Sequence, residues 1–245
     1  MSVVRWQAQT REQLSALLPE AVVVLPIGAT EQHGPHLATG TDALLAETAA
    51  TRAAEMAAAS ATRTFVLAPT LPIGASDHHL PFGGTISLRP ETLLALLLDV
   101  ARSVADCGGR RLVIVNGHGG NRGICSAAAA AASVRSPITV AYLDYWDAAA
   151  GADLGATPLP GHAGGFETSL VLAVDPTLVQ ERTPRGAVPV VPSVPGVEIQ
   201  RQASWHEQKG FTDEPANADA QQGKEWLDHL VSTLAGQLVA LAAAL

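Results

Sequence analysis

The sequence is short of several things, and each shortage removes a class of function. It has only two cysteines, Cys107 and Cys125. Both stand in apparently helical contexts, which points to reduced thiols in a cytosolic protein and not to a disulfide framework. Basic residues are few: 15 Lys and Arg stand against 23 Asp and Glu, a net charge of -8 and a pI near 5.4. No basic stripe of the kind a nucleic-acid surface needs is present. The pair Arg110-Arg111 reads as a solvated approach to a strand. Apolar runs are short, the longest lying around 93–98 and 238–245, below the length of a membrane span. The N-terminus has no basic segment followed by an apolar core, so no signal peptide is expected. No internal repeat and no break in composition divides the chain. The expectation is one large α/β domain over 1–245, cytoplasmic, with no nucleic-acid or membrane partner.

What is present is an alternation of strands and helices. A short helix is expected over 11–18. Val22-Val-Val-Leu-Pro-Ile27 is a continuous apolar run of the kind covered on both faces. An Ala-rich helix over 41–59 follows, then a strand over 64–68 ended by Pro69. The stretch from Leu71 to Thr85 is too rich in Gly and Pro for a regular element. Pro90, at a tolerated first-turn position, opens a helix to Asp106, and Gly108-Gly109 stops it. Strands are expected over 111–116 and 138–143, with an Ala-rich helix between them. Such alternation argues for a mostly parallel sheet with helices on both faces. The second half is less regular: a glycine-rich turn enters a helix ending near Val174, extended pieces and surface loop cover 183–197, and an amphipathic helix closes the chain from Asn217.

The chemistry-bearing residues gather where such a sheet places its sites, beyond the carboxyl ends of strands. Glu31-Gln-His33-Gly-Pro-His36 and Asp42 follow the first strand. Carboxylates and neutral imidazoles are the usual ligands of Zn²⁺, Mn²⁺ and Fe²⁺ in hydrolases. Taken singly, Glu31 reads as a loop acid and Asp42 as a helix cap. His118, in Asn116-Gly-His-Gly-Gly-Asn121, follows another strand at the same edge. Its glycines resemble a phosphate cradle, but the spacing matches neither dinucleotide motif nor P-loop, and no P-loop Lys follows. His162 and Glu167 flank two further glycines. Together these six side chains can hold two metals, with a bridging carboxylate and a spare histidine to move protons. Ser76, His79 and Trp146 are candidates for the substrate pocket. His36 and His78 read as surface residues or as supports behind the ligands, and His206 and His229 as surface residues.

Four segments carry a resemblance. Leu25-Pro-Ile-Gly-Ala-Thr-Glu31-Gln-His33-Gly-Pro-His36-Leu with Thr41-Asp42, Phe82-Gly-Gly-Thr-Ile-Ser87, Val115-Asn-Gly-His118-Gly-Gly-Asn121 and His162-Ala-Gly-Gly-Phe-Glu167-Thr-Ser resemble, in order, the signature of the creatininase (creatinine amidohydrolase) family. The resemblance implies a three-layer α/β/α fold, a dinuclear Zn/Mn-type centre with Fe also compatible, C–N bond hydrolysis, and a homo-oligomer, often a hexamer. By position it implies that Glu31 and His118 bind one metal, that His33 binds the other, that Asp42 bridges them, and that His162 transfers the proton. Creatininase itself has a glutamate ligand two residues after the histidine matched by His118. That position is Gly120 here, and Glu167 is the natural replacement. One of creatininase's two substrate tryptophans matches Trp146, while Pro158 stands near the place of the other, so creatinine is not the expected substrate. The family also includes formamide hydrolases of cofactor biosynthesis and a peptidase that trims the mycofactocin precursor peptide, and the glycine version of the His118 loop is compatible with both.

The expectation is therefore a metal-dependent amidohydrolase acting on a small amide or a peptide bond through a metal-activated hydroxide, with His162 as proton shuttle. A precursor-trimming peptidase is one alternative. A non-catalytic metal-binding α/β protein is another, and it would lack the shuttle and an open coordination position.

Overall fold

The six residues of Val22–Ile27 are all buried, and the rest of the fold is arranged around them. The computed structural model describes residues 1–187, 192, 194–197 and 199–245. Its strands are β1 (Val3–Arg5), β2 (Val22–Ile27), β3 (Phe65–Leu67), β4 (Arg111–Asn116) and β5 (Thr139–Asp144). They form one sheet in the order β1-β3-β2-β4-β5, with every pairing parallel. The helices are α1 (Arg11–Leu17), α2 (Thr41–Ala57), α3 (Pro90–Asp106), α4 (Arg122–Arg135), α5 (Gly165–Val174), α6 (Gln202–Glu207) and α7 (Ala220–Ala244).

Strand side chains alternate between two cores, as a period of two requires. Val22, Val24, Val113 and Val115 pack with residues of α2, α5 and α7. Val23, Leu25, Ile27, Leu112 and Ile114 pack with residues of α3 and α4. The result is the three-layer α/β/α arrangement with helices on both faces. Each fully buried Leu, Ile or Val in these layers contributes about 1.5–3 kcal/mol.

Several details differ from the sequence reading. Val3–Arg5 forms an edge strand too short to show a pattern. The 71–85 stretch contains a 3-10 turn over Asp77–Phe82, which tolerates Pro81 because it is so short. Helix α6 emerges from a stretch with no periodic signal. The last helix starts at Ala220, where the Asp219 side chain accepts from the Gln222 N–H at 2.8 Å, an N-cap. By length and composition α7 can cross a membrane, with a mean hydropathy of 1.4. Consecutive apolar residues do not show this, because Asp228-His229, Ser232-Thr233 and Gly236-Gln237 interrupt the run. In the fold its Trp226, Leu230, Leu234 and Leu238 are buried in the core shared with α2 and α5. Of the expected loop over 183–197, residues 188–191 and 193 lie outside the described residues.

The topology prepares a site. From β2 the chain moves through α2 to β3 on one side; from β4 it moves through α4 to β5 on the other. Their carboxyl ends therefore flank a switch point, where open α/β sheets open a crevice. Two glycines let the first turn of α2 lie directly on those strand ends. A Cβ on Gly28 would stand 2.3 Å from the Ala43 backbone nitrogen, and one on Gly117 would stand 2.6 Å from the Asp42 carbonyl oxygen. Asp42 is thereby held between the ends of β2 and β4.

Candidate metal centre

Asp42 is the second residue of α2, and its side chain does not cap that helix. It is 2 % exposed, and its two oxygens face two different histidines. Oδ1 is 2.9 Å from His33 Nε2, and Oδ2 is 3.0 Å from His118 Nδ1. Glu31 Oε1 is 3.2 Å from the same His118 nitrogen. Glu167 Oε2 is 3.9 Å from His33 Nε2. Two nests result: Glu31, Asp42 and His118 on one side of Asp42, and His33, Asp42 and Glu167 on the other.

The outward nitrogens of the two histidines decide what fills these nests. His33 Nδ1 lies 3.1 Å from the Glu31 backbone carbonyl. A carbonyl only accepts, so Nδ1 carries hydrogen and Nε2 is left to face Asp42. His118 Nε2 lies 3.1 Å from the Ala75 carbonyl, which leaves Nδ1 to face Asp42 and Glu31. In each neutral ring a lone pair is turned toward carboxylate oxygen. Such an approach is favourable only with positive charge in it, a proton or a metal ion. Glu31 Oε1 and Oε2 and Asp42 Oδ2 are buried and have no hydrogen-bonding partner among the described residues. The His118 contacts are close but not aligned as hydrogen bonds. The donor set, its burial and the backbone carbonyls that orient the rings fit a divalent ion.

The titration behaviour follows from the same charges. Burial opposes a proton on His33, but Asp42, with Glu167 and Glu31 behind it, outweighs burial and raises its pKa to about 10. His118 is raised against burial by Glu31 and Asp42. Burial would raise Asp42, yet His33 and His118 hold it low. Glu167 is pushed up to about 8 by burial, with His33 opposing and Asp42 adding to the rise. A proton thus takes the place in each nest that an ion also suits.

A second ring of residues surrounds the nests. His162 is buried, with Nδ1 3.5 Å from Glu31 Oε1 and its ring stacked on His79 at 4.3 Å. His79 Nε2 is 3.6 Å from the same Glu31 oxygen. Burial and neighbouring histidines lower both rings, His79 to about 2. Ser76 Oγ is 3.1 Å from His118 Nε2. His36 is 1 % exposed, not a surface residue, and its Nε2 meets Thr168 Oγ1 at 3.0 Å. Burial, then His33, lowers it to about 4. The Glu167 carboxylate also accepts from the Ala163 N–H at 2.6 Å, which ties α5 to the His162 loop.

The nests open into a cavity of about 560 Å³ whose walls include His78, Arg122, Trp146 and Trp205. Trp146 is both core and wall, with the Arg122 guanidinium 6.0 Å above its ring. All the residues chosen from the sequence as site candidates therefore come together, with Trp146 buried in the cavity wall. Sequence reasoning missed Gln32 and Trp205, and it left His78 between a surface residue and a support behind the ligands. Gln32 sat unremarked inside the cluster motif, and nothing periodic surrounds Trp205. His78 stacks on His118 at 5.7 Å, and its Cε1 lies 3.1 Å from where a Cβ on Gly120 would be. It borders the space a side chain at position 120 would enter. Among the described residues, three groups have ligand atoms within 4.8 Å of one another: Glu31–His78–His118, Glu31–His33–His162 and His33–Asp42–Glu167.

Comparison with known proteins agrees with this geometry. A model of the creatininase family, described as creatinine amidohydrolase, matches residues 7–238. The mycofactocin precursor peptide peptidase of Mycolicibacterium smegmatis is 34% identical over 236 residues, covering 94% of this chain and 88% of the relative. The creatinine amidohydrolase of Pseudomonas putida is 34% identical over 182 residues, covering 65% of this chain and 66% of the relative. A solved structure described as creatininase with Mn superposes with a TM-score of 0.79 at 27% identity, covering 96% of this chain and 97% of the other. Four sequence segments in order, a parallel sheet with its acids and histidines at the switch point, and these relatives agree: the chain belongs to the creatininase family of metal-dependent amidohydrolases.

Proposed function

We propose that the chain, acting as one domain, holds two divalent ions, Zn²⁺ or Mn²⁺ with Fe²⁺ also compatible, and hydrolyses the amide bond of a short peptide. The observation that carries the two-ion reading is Asp42, with one oxygen on His33 and the other on His118. Glu31 and His118 complete one nest, His33 and Glu167 the other. Charge supports the count. Glu31, Asp42 and Glu167 are three buried carboxylates. One divalent ion leaves the set at -1, whereas two leave it at +1, the sign that suits a reaction developing a negative oxygen.

Bound ions of this kind supply Lewis-acid polarisation of the amide carbonyl and a water acidic enough to attack near neutrality. The chain's residues do the rest. His162 takes the proton that the attacking water loses and returns it to the departing nitrogen, which cannot leave as an anion. The new C–O bond replaces the C–N bond, and an acid and an amine leave. Ser76 supports His118 from behind, and His79 and Trp146 contact the substrate. A proton-carrying His162 also argues against the non-catalytic alternative.

Peptide over creatinine is favoured by likeness in sequence, not in fold, since a creatininase structure superposes on 96% of the chain. At the same 34% identity the peptidase relative aligns over 94% of the chain and the creatinine amidohydrolase over 65%. A small amide or formamide is the second reading, supported by the family name. The cytoplasmic location and a homo-oligomer, hexameric by family resemblance, belong to the same proposal. The test is a hydrolysis screen of short peptides, formamides and creatinine on protein reconstituted with Zn²⁺ or Mn²⁺, with EDTA-treated protein as control. Peptide cleavage lost on chelation and restored by metal is the expected result. Creatinine turnover with no peptide cleavage would overturn the substrate, and cleavage insensitive to chelation would overturn the metal chemistry.

A further inference from the structure

Gln32 is buried between His79 and His162, and its amide has only one possible orientation. Its Oε1 accepts from the Gly34 backbone N–H at 3.0 Å. Its Nε2 donates to the Gly210 carbonyl at 2.6 Å. Reversing the amide would set donor against donor and acceptor against acceptor. One hydrogen remains on Nε2, and two ring nitrogens are in reach: His79 Nδ1 at 2.7 Å and His162 Nε2 at 3.2 Å.

The backbone carbonyl of Gln32 chooses between them. It lies 3.0 Å from His162 Nε2 and can only accept, so His162 Nε2 carries hydrogen and cannot accept another. The remaining amide hydrogen therefore goes to His79 Nδ1, which must be bare. In a neutral ring the hydrogen of His79 then sits on Nε2. That atom is buried and has no hydrogen-bonding partner among the described residues. Both rings carry hydrogen on Nε2, but they are turned opposite ways. Beside one oxygen of Glu31, His162 presents a bare Nδ1 at 3.5 Å and His79 presents an N–H at 3.6 Å.

We propose that Gln32 is the positioning residue that gives the site one proton acceptor and one hydrogen-bond donor, by fixing the hydrogen of His162 and His79 on Nε2. The roles rest on the amidohydrolase reading. Through its bare Nδ1, His162 accepts the proton from water and passes it to the leaving nitrogen, while Nε2–H stays on the Gln32 carbonyl and holds the ring. His79 offers its Nε2–H to an acceptor atom of the substrate and moves no proton.

The hydrogen positions can be read without turnover. In protein labelled with ¹⁵N-histidine and loaded with diamagnetic Zn²⁺, imidazole ¹⁵N shifts distinguish N–H from bare nitrogen. His79→Gln and His162→Gln assign the signals by their loss. In the wild type, Nε2 of both rings should be protonated and Nδ1 of both bare. A hydrogen on Nδ1 of His79 or of His162 overturns the proposal, whether or not any variant folds. Gln32→Glu places an acceptor where Nε2 donates, so His79 Nδ1 should gain hydrogen. With zinc content unchanged, kcat/KM should fall about 10- to 100-fold, because the substrate loses the His79 N–H. A bare His79 Nδ1 in that variant, or an unchanged kcat/KM, also overturns it. Wild-type shifts as stated in a protein that cleaves no amide would sink the proposed function and leave the positioning role standing. Hydrolysis with different shifts would do the reverse.

Discussion

Two regions build this site, and they are made differently. The ion nests come from turns at the ends of β2 and β4 and from the first turns of α2 and α5, with Glu31, His33, Asp42, His118 and Glu167 all at most 4 % exposed. The outer wall comes from a strap that includes α6 and runs to Glu214, and it reaches the site by a few contacts. Trp205 meets His79 at 4.4 Å and His162 at 5.3 Å. Thr212 Oγ1 accepts from the His162 N–H at 2.7 Å, and the Thr212 N–H donates to the His162 carbonyl at 2.9 Å. Asp213 accepts from the Gly165 N–H at 2.8 Å. The sheet fixes the metal chemistry, and distant chain clamps a loop against it. Changes in the nests should abolish chemistry, whereas changes in the strap should alter substrate handling and leave the ions in place.

The largest expected break is Asp42→Ala. On the proposed reading Asp42 bridges two ions, so metal content measured by plasma mass spectrometry should fall below one per chain. Activity should drop by about 10³-fold or more, the loss of several kcal/mol of charge stabilisation. Full metal occupancy would refute the bridge. His162→Ala comes next. It should keep its metal content and lose about 10²–10³-fold in rate, within the range of a positioned general acid. Metal lost with activity would make His162 a ligand, as its place in the Glu31–His33–His162 group allows. Gly117→Ala tests how Asp42 is placed. The added Cβ would stand 2.6 Å from the Asp42 carbonyl and 2.9 Å from Ala46 Cβ. Backbone cannot yield there, so thermal unfolding should show a loss of about 1–3 kcal/mol, together with weaker metal binding. An unchanged melting temperature and affinity would mean that α2 is not wedged against the strand ends. Trp205→Ala should do least. Metal content should hold and KM should rise by about 1 kcal/mol, roughly fivefold. Loss of metal in this variant would erase the distinction between the two regions.

The first of these regions was legible in the sequence and the second was not, for physical reasons. Buried parallel strands announce themselves as apolar runs, so β2 and β4 are read at their observed limits. Ligand chemistry restricts residue types, so Glu31, His33, Asp42 and His118 stand out beside strand ends. Glycines with close backbone neighbours, such as Gly28 and Gly117, mark where helix meets strand only once the pairing is known. Trp205 and the Thr212–Asp213 clamp follow no period, because their partners lie some 50 residues away at His162 and Gly165. The sequence leaves His36 between a surface residue and a support behind the ligands, because a histidine in a loop motif looks solvated until Thr168, from α5, is seen to cover it. Gln32 carries no charge and no metal-ligand chemistry, so its role exists only in its hydrogen-bond geometry.

The most direct test of the account is an anomalous diffraction map of Zn²⁺-loaded crystals, collected above and below the zinc edge. Two peaks are predicted, one among Glu31, Asp42 and His118 and one among His33, Asp42 and Glu167, with Asp42 touching both. A single peak, or peaks that Asp42 does not share, would contradict the dinuclear centre.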